Sequence, residues 1–118
     1  MAEQTNYLRT RVEAAATYLP TLELSFRAMF GGLMIYVVGK PFASLSEPGL
    51  SLKLNENDRT VLLQEPGAKF LQHDGEAPSK QYVVVPPHIL ENNEQLSLWL
   101  ERSATYAMTI PSKKKIKR

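Results

Sequence analysis

Apolar residues recur at helical spacing at the start of this chain and switch to strand-like spacing after a proline. Leu8, Val12, Ala15 and Leu19 share one helical face, which predicts a helix over Asn6–Leu19 that Pro20 stops. Thr21–Phe30, Leu33–Val38 and Pro41–Leu45 are rich in aliphatic and aromatic residues, and each predicts a strand. Gly39-Lys40 suits a hairpin link and Glu47-Pro48-Gly49 a second turn. Beyond it Leu50, Leu52 and Leu54 alternate with Ser51, Lys53 and Asn55, the pattern of a half-buried strand. Four strands with such short links form an antiparallel meander.

The second half is predicted to open with a helix over Asn55–Gln64, capped at Asn55–Asp58, with Val61 and Leu62 facing inward and Pro66-Gly67 stopping it. Lys69–Gln72 reads as a short extended piece and His73–Lys80 as a polar loop. Tyr82–Val85 is a final strand, ended by Pro86-Pro87, which opens a helical turn at His88–Leu90. Asn92-Asn93 caps the last helix, whose stripe is Leu96, Leu100, Ser103 and Ala107 with Trp99 beside it. The expected class is α+β: two layers, a mainly antiparallel sheet of about five strands, and N-terminal, middle and C-terminal helices. The expected organisation is one domain over residues 1–110 and a basic, disordered tail over 111–118.

One segment breaks the alternation. Arg27-Ala-Met-Phe-Gly-Gly leads into Leu33-Met-Ile-Tyr-Val-Val without a polar interruption. Glycine tolerates φ > 0 and lets a second backbone approach, so Gly31-Gly32 is either a hairpin corner or a bulge in one bent strand. An apolar run such as Leu33–Val38 implies cover on both faces, by helices or by a second subunit.

Composition narrows the classes. At 118 residues with 43% hydrophobic and 22% charged content, the chain suits a single soluble domain with its own core. The absence of cysteine excludes disulfides, thiolate metal sites and a cysteine nucleophile, and fits a cytoplasmic setting. The first residues have neither the basic nor the apolar region of a secretory signal, and no apolar run reaches the ~20 residues of a membrane span. Net charge is +2, yet Lys113, Lys114, Lys115, Lys117 and Arg118 fall in the last six positions. Without them nine basic residues face twelve acidic ones, so the body carries about −3.

Arg27-Ala-Met-Phe-Gly-Gly, then Leu50-Ser-Leu-Lys-Leu, then Tyr82-Val-Val-Val-Pro and Leu90-Glu-Asn-Asn-Glu-Gln-Leu follow in an order that resembles the N-terminal domain of the TfoX/Sxy proteins, over roughly Leu19–Ala107. The resemblance implies a two-layer α+β domain and a link with regulation of bacterial competence genes, hence of transcription. Larger members carry a second domain after this one; eleven residues follow Ala107 here, so a stand-alone arrangement is expected. Stand-alone members are mostly without an assigned biochemical activity. Leu33-Met34-Ile35 stands where the family often has a smaller, glycine-containing stretch.

Candidate chemistry is sparse. Arg27 is either an anion or partner contact beside backbone N–H groups at the Gly-Gly turn, or a structural group bonding to carbonyls or Glu23. No phosphate-loop pattern follows Gly31-Gly32. Lys53 joins Arg27 in a cationic site only if the strand register brings the two together. His73 and His88 lack the companions of a zinc site, and Ser44, Ser46 and Ser51 lack a nucleophile-elbow context. Asp74 and Glu76 share an exposed loop, which offers no buried setting for acid–base work. The expectation is a protein without enzyme activity, cofactor or metal, serving as a protein-interaction or regulatory module and self-associating as a homodimer. Its interaction or structural signature is Arg27, Met29, Phe30, Gly31, Gly32 and Lys53. The alternative is an accessory nucleic-acid-binding protein that uses Lys113, Lys114, Lys115, Lys117 and Arg118 to neutralise phosphates.

Overall fold

The alternating segments pair into one sheet. A computed structural model describes residues 2–29 and 31–110; Phe30 and the basic segment 111–118 lie outside the described residues. The strands are β1 (Leu24–Met29), β2 (Gly32–Val37), β3 (Lys40–Ser46), β4 (Gly49–Lys53), β5 (Lys69–Phe70) and β6 (Tyr82–Val84). They lie in the order β1-β2-β3-β4-β6-β5, every pair antiparallel. The meander of the first four strands is as expected. The sheet has six strands rather than five because the extended piece at Lys69 pairs along β6. Helices α1 (Ala2–Ala16), α2 (Glu56–Leu63), α3 (Pro87–Leu90) and α4 (Asn93–Thr109) complete the α+β fold.

Caps set the helix starts where the sequence places them. Asn55 Oδ1 accepts from the Asp58 N–H at 2.7 Å, and Asn92 Oδ1 from the Gln95 N–H at 3.0 Å. In α2 only Leu62 is buried; Val61, expected beside it, is 41% exposed. Neighbouring helical residues diverge by about 100°, so a helix of two turns against one strand buries one of them. In α4 the expected stripe Leu96, Leu100, Ser103 and Ala107 is buried together with Trp99.

The core lies between one sheet face and the helices. Leu8, Val12 and Ala15 of α1 and Leu96, Leu100 and Ala104 of α4 meet Ile35, Val37, Leu45, Leu50, Leu52 and Val83 of the sheet. The β2–β3 ladder shifts register between Ile35 and Tyr36, which lets both Phe42 and Ala43 point into the core. The Ser103 hydroxyl faces the Phe42 carbonyl at 3.0 Å and the Lys53 carbonyl at 2.7 Å, providing a donor beside the bulge. Val38, expected in the strand, instead makes the β2–β3 turn with Gly39: both have positive φ (50° and 74°), and Val38 is 76% exposed. Arg11 of α1 ties the helices together by donating to the Leu90 carbonyl of α3 at 3.0 Å and to Asn93 Oδ1 of α4 at 2.6 Å.

Candidate interaction surface

Strand side chains alternate between the two sides of a sheet, so the helix-covered side fixes what stands on the other. The register sets one row straight across all six strands: Arg27, Met34, Ser44, Ser51, Val84 and Lys69. Two positions along, Ser25, Tyr36 and Pro41 make a parallel row with Lys53 and Tyr82. On the other side of the first row lie Met29 opposite Gly32, and Ser46 opposite Gly49.

This open face has a floor and a roof. The floor is hydroxylic: Ser44 Oγ and Ser51 Oγ bond at 2.6 Å, and Ser46 Oγ is buried with no hydrogen-bond partner among the described residues. All three serines are at most 3% exposed, although the helices are on the opposite side. Val84 leans over β4, where its Cγ1 lies 3.3 Å from the place a Cβ on Gly49 would take. Burial pushes the Tyr82 phenol pKa above its usual value near 10, and Tyr36 raises it further. The strands bearing these tyrosines are three spacings apart, about 14 Å, so mutual influence requires the rings to lean together.

Arg27 does not take the structural role of bonding to carbonyls or to Glu23. Among the described residues its guanidinium makes no hydrogen bond or ion pair; it lies exposed over the Tyr36 ring, 5.1 Å from the centroid. Lys53 shares its face but stands three strands away, about 14 Å, opposite Tyr82, so the two do not form one cationic site. Gly31 and Gly32 resolve as a hairpin corner. Gly31 has φ +85°, while a Cβ on Gly32 would lie 1.9 Å from the Leu45 carbonyl oxygen. The apolar run is covered by helices on one side only: Ile35 and Val37 are buried, while Met34 and Tyr36 stay partly exposed on the other. Sequence reasoning missed Met34, Tyr36, Tyr82, Val84 and Lys69 as a set. The signal was the parity shared with Arg27, readable only once the pairing register was known.

Other chemistry-bearing groups stand apart. His88 Nε2 pairs with Glu65 Oε1 at 2.8 Å on the surface, and His73 lies in the loop after β5. Among the described residues no three or more His, Asp or Glu are arranged to hold a metal ion, and no helix is long and apolar enough to cross a membrane. An open depression of about 360 Å³ between the start of α2 and α4 is lined by Asn55, Asp58, Leu98, Arg102 and Tyr106. Its Arg102 stacks on Trp99 at 4.8 Å and lies 3.7 Å from Asp58 Oδ1, which accounts for both charges.

Residues 20–107 match the TfoX N-terminal domain. The matched span holds the whole sheet and most of α4, whereas α1 precedes it and still supplies Leu8, Val12 and Ala15 to the core. No curated protein and no solved structure matches the chain. With three quarters of its length in that match, the chain belongs to the TfoX N-terminal domain family.

Proposed function

We propose that this protein is a non-catalytic interaction module of regulatory type that receives a protein partner on the open face of its sheet. One observation carries the reading: Met29, Met34, Tyr36 and Tyr82 stand partly exposed on a six-stranded sheet, with no helix over them among the described residues. A non-catalytic role is supported by the serine floor, where Ser44 and Ser51 bond to each other rather than to an imidazole or a carboxylate. Family membership supports a place in the control of gene expression, with competence as the family's best-known setting.

The test is capture from the source cell with tagged wild type, Met34→Glu on the open face, and Leu98→Glu on the exposed side of α4. The reading expects Met34→Glu to lose the partners and Leu98→Glu to keep them. The opposite pattern overturns it. Self-association through the same face is the homodimeric version, which light scattering separates from a 13.3 kDa monomer. The five cations among the last six residues support a second reading, weak attachment to nucleic acid. It expects DNA binding that falls steeply with salt and disappears when all five are changed to glutamine in the full-length chain.

A further inference from the structure

We infer that the partner segment accepted by the open face is an amphipathic helix whose apolar side is flanked by acidic residues at both ends. The inference rests on the interaction reading above and adds the chemistry of the occupant. Its basis is charge placement. The strand positions of the open face carry three cations, Arg27, Lys53 and Lys69, and not one carboxylate. Nearby acids sit in the connections instead: Glu23 before β1, Glu47 in the β3–β4 turn, Asp74 and Glu76 after β5. Arg27 and Lys69 end the long row, five strand spacings or about 24 Å apart, and both are exposed. Between them Met34 is partly exposed, with Tyr36 and Tyr82 alongside, while Ser44, Ser51 and Val84 are buried. A helix of about 16 residues spans that distance, and a covering helix would turn the two-layer domain into three layers.

The same face disfavours the two other occupants. A second copy docked face to face would bring six like charges into one interface with no carboxylate on either surface to pair them. A single-stranded nucleic acid needs free aromatic faces for its bases, but Arg27 covers one face of the Tyr36 ring. The body around the face is also acidic, at about −3 without the tail.

The experiment uses the full chain with its five tail cations changed to glutamine, and three fluorescent probes. These are a helical peptide of about 18 residues with leucine on one side and glutamate in its first and last turns, the same peptide with lysine for glutamate, and an oligothymidylate of about 18 nucleotides. Fluorescence anisotropy at physiological salt is expected to show the glutamate-ended peptide binding about tenfold more tightly than the lysine-ended one. Arg27→Glu/Lys69→Glu, checked for folding by circular dichroism, is expected to reverse that order. Met34→Ser is expected to weaken the glutamate-ended peptide without changing the charge preference. Equal affinity for the two peptides, an order unchanged by the double reversal, tighter binding of the oligothymidylate, or a stable dimer that excludes the peptides overturns the proposal. If neither peptide binds while Met34→Glu still abolishes capture, this occupant is wrong and the interaction reading stands. If Met34→Glu leaves capture intact, the interaction reading itself has failed.

Discussion

The two faces of the sheet are built from the same strands and have opposite fates. In β2, Ile35 and Val37 are at most 1% exposed against α1 and α4, while Met34 and Tyr36, one residue out of phase, remain partly open. The helix-covered face is almost wholly aliphatic. The open face mixes sulfur, phenol and hydroxyl groups under a margin of cations. Burial of aliphatic area stabilises the fold in proportion to the area removed from water, which assigns stability to the first face. The second face is left with groups suited to contact: flexible thioethers, amphipathic rings and three cations that make no ion pair among the described residues. An apolar run without polar alternation therefore need not mean two buried faces; here it means one.

That division can be broken by substitution. Leu52→Ala, on the covered face, is expected to cost about 2–5 kcal/mol in urea unfolding, against about 1 kcal/mol or less for Met34→Ser on the open face. Equal losses would remove the distinction. The corner that joins β1 to β2 gives the next effect. Gly32→Ala drives a Cβ into the Leu45 carbonyl and should cost about 3 kcal/mol or more, whereas Gly31→Ala meets open space and pays only for its left-handed φ, about 1–2 kcal/mol. The serine floor sharpens the comparison further. Ser44→Ala strands the buried Ser51 hydroxyl and should cost about 1–3 kcal/mol, while Ser46→Ala removes an unpaired group and should be neutral or stabilising.

Much of this was legible before the fold was known, and the exceptions share a cause. The caps at Asn55 and Asn92, the meander, the α4 stripe and the α+β class follow from local chemistry: side chains that bond to the next turn, and periodicities that repeat over several residues. Val61 differs because the α2 pattern offers three adjacent apolar residues, Val61, Leu62 and Leu63, and only tertiary packing chooses among them. Val38 was placed in a strand on its β propensity, but a two-residue turn matching the strand twist required positive φ there. Whether Arg27 and Lys53 form one cationic site is a question the sequence leaves to the register, and the register sets them three strands apart. What the sequence withheld was register: which of Met34, Tyr36, Tyr82 and Lys69 stand beside them depends on pairings as distant along the chain as Ser51 with Val84.

The smallest expected effect is a pH dependence. Burial raises the Tyr82 pKa in the folded state, so its contribution to stability is fully present below the unfolded value near 10 and is lost as pH rises through the folded value. Tyr82→Phe should therefore flatten the alkaline fall of the urea midpoint relative to wild type. An unchanged slope would mean that the open face does not shield Tyr82 as described.

The claim that the open face is the working surface is tested most directly by its methionines. Met29 and Met34 stand on that face, and Met108 lies on α4, 40% exposed. In methyl spectra of methionine-labelled protein, adding the glutamate-ended peptide should shift or broaden Met34 and Met29 and leave Met108 in place. Movement of Met108 with Met34 unchanged would put the contact on the helices and contradict the account.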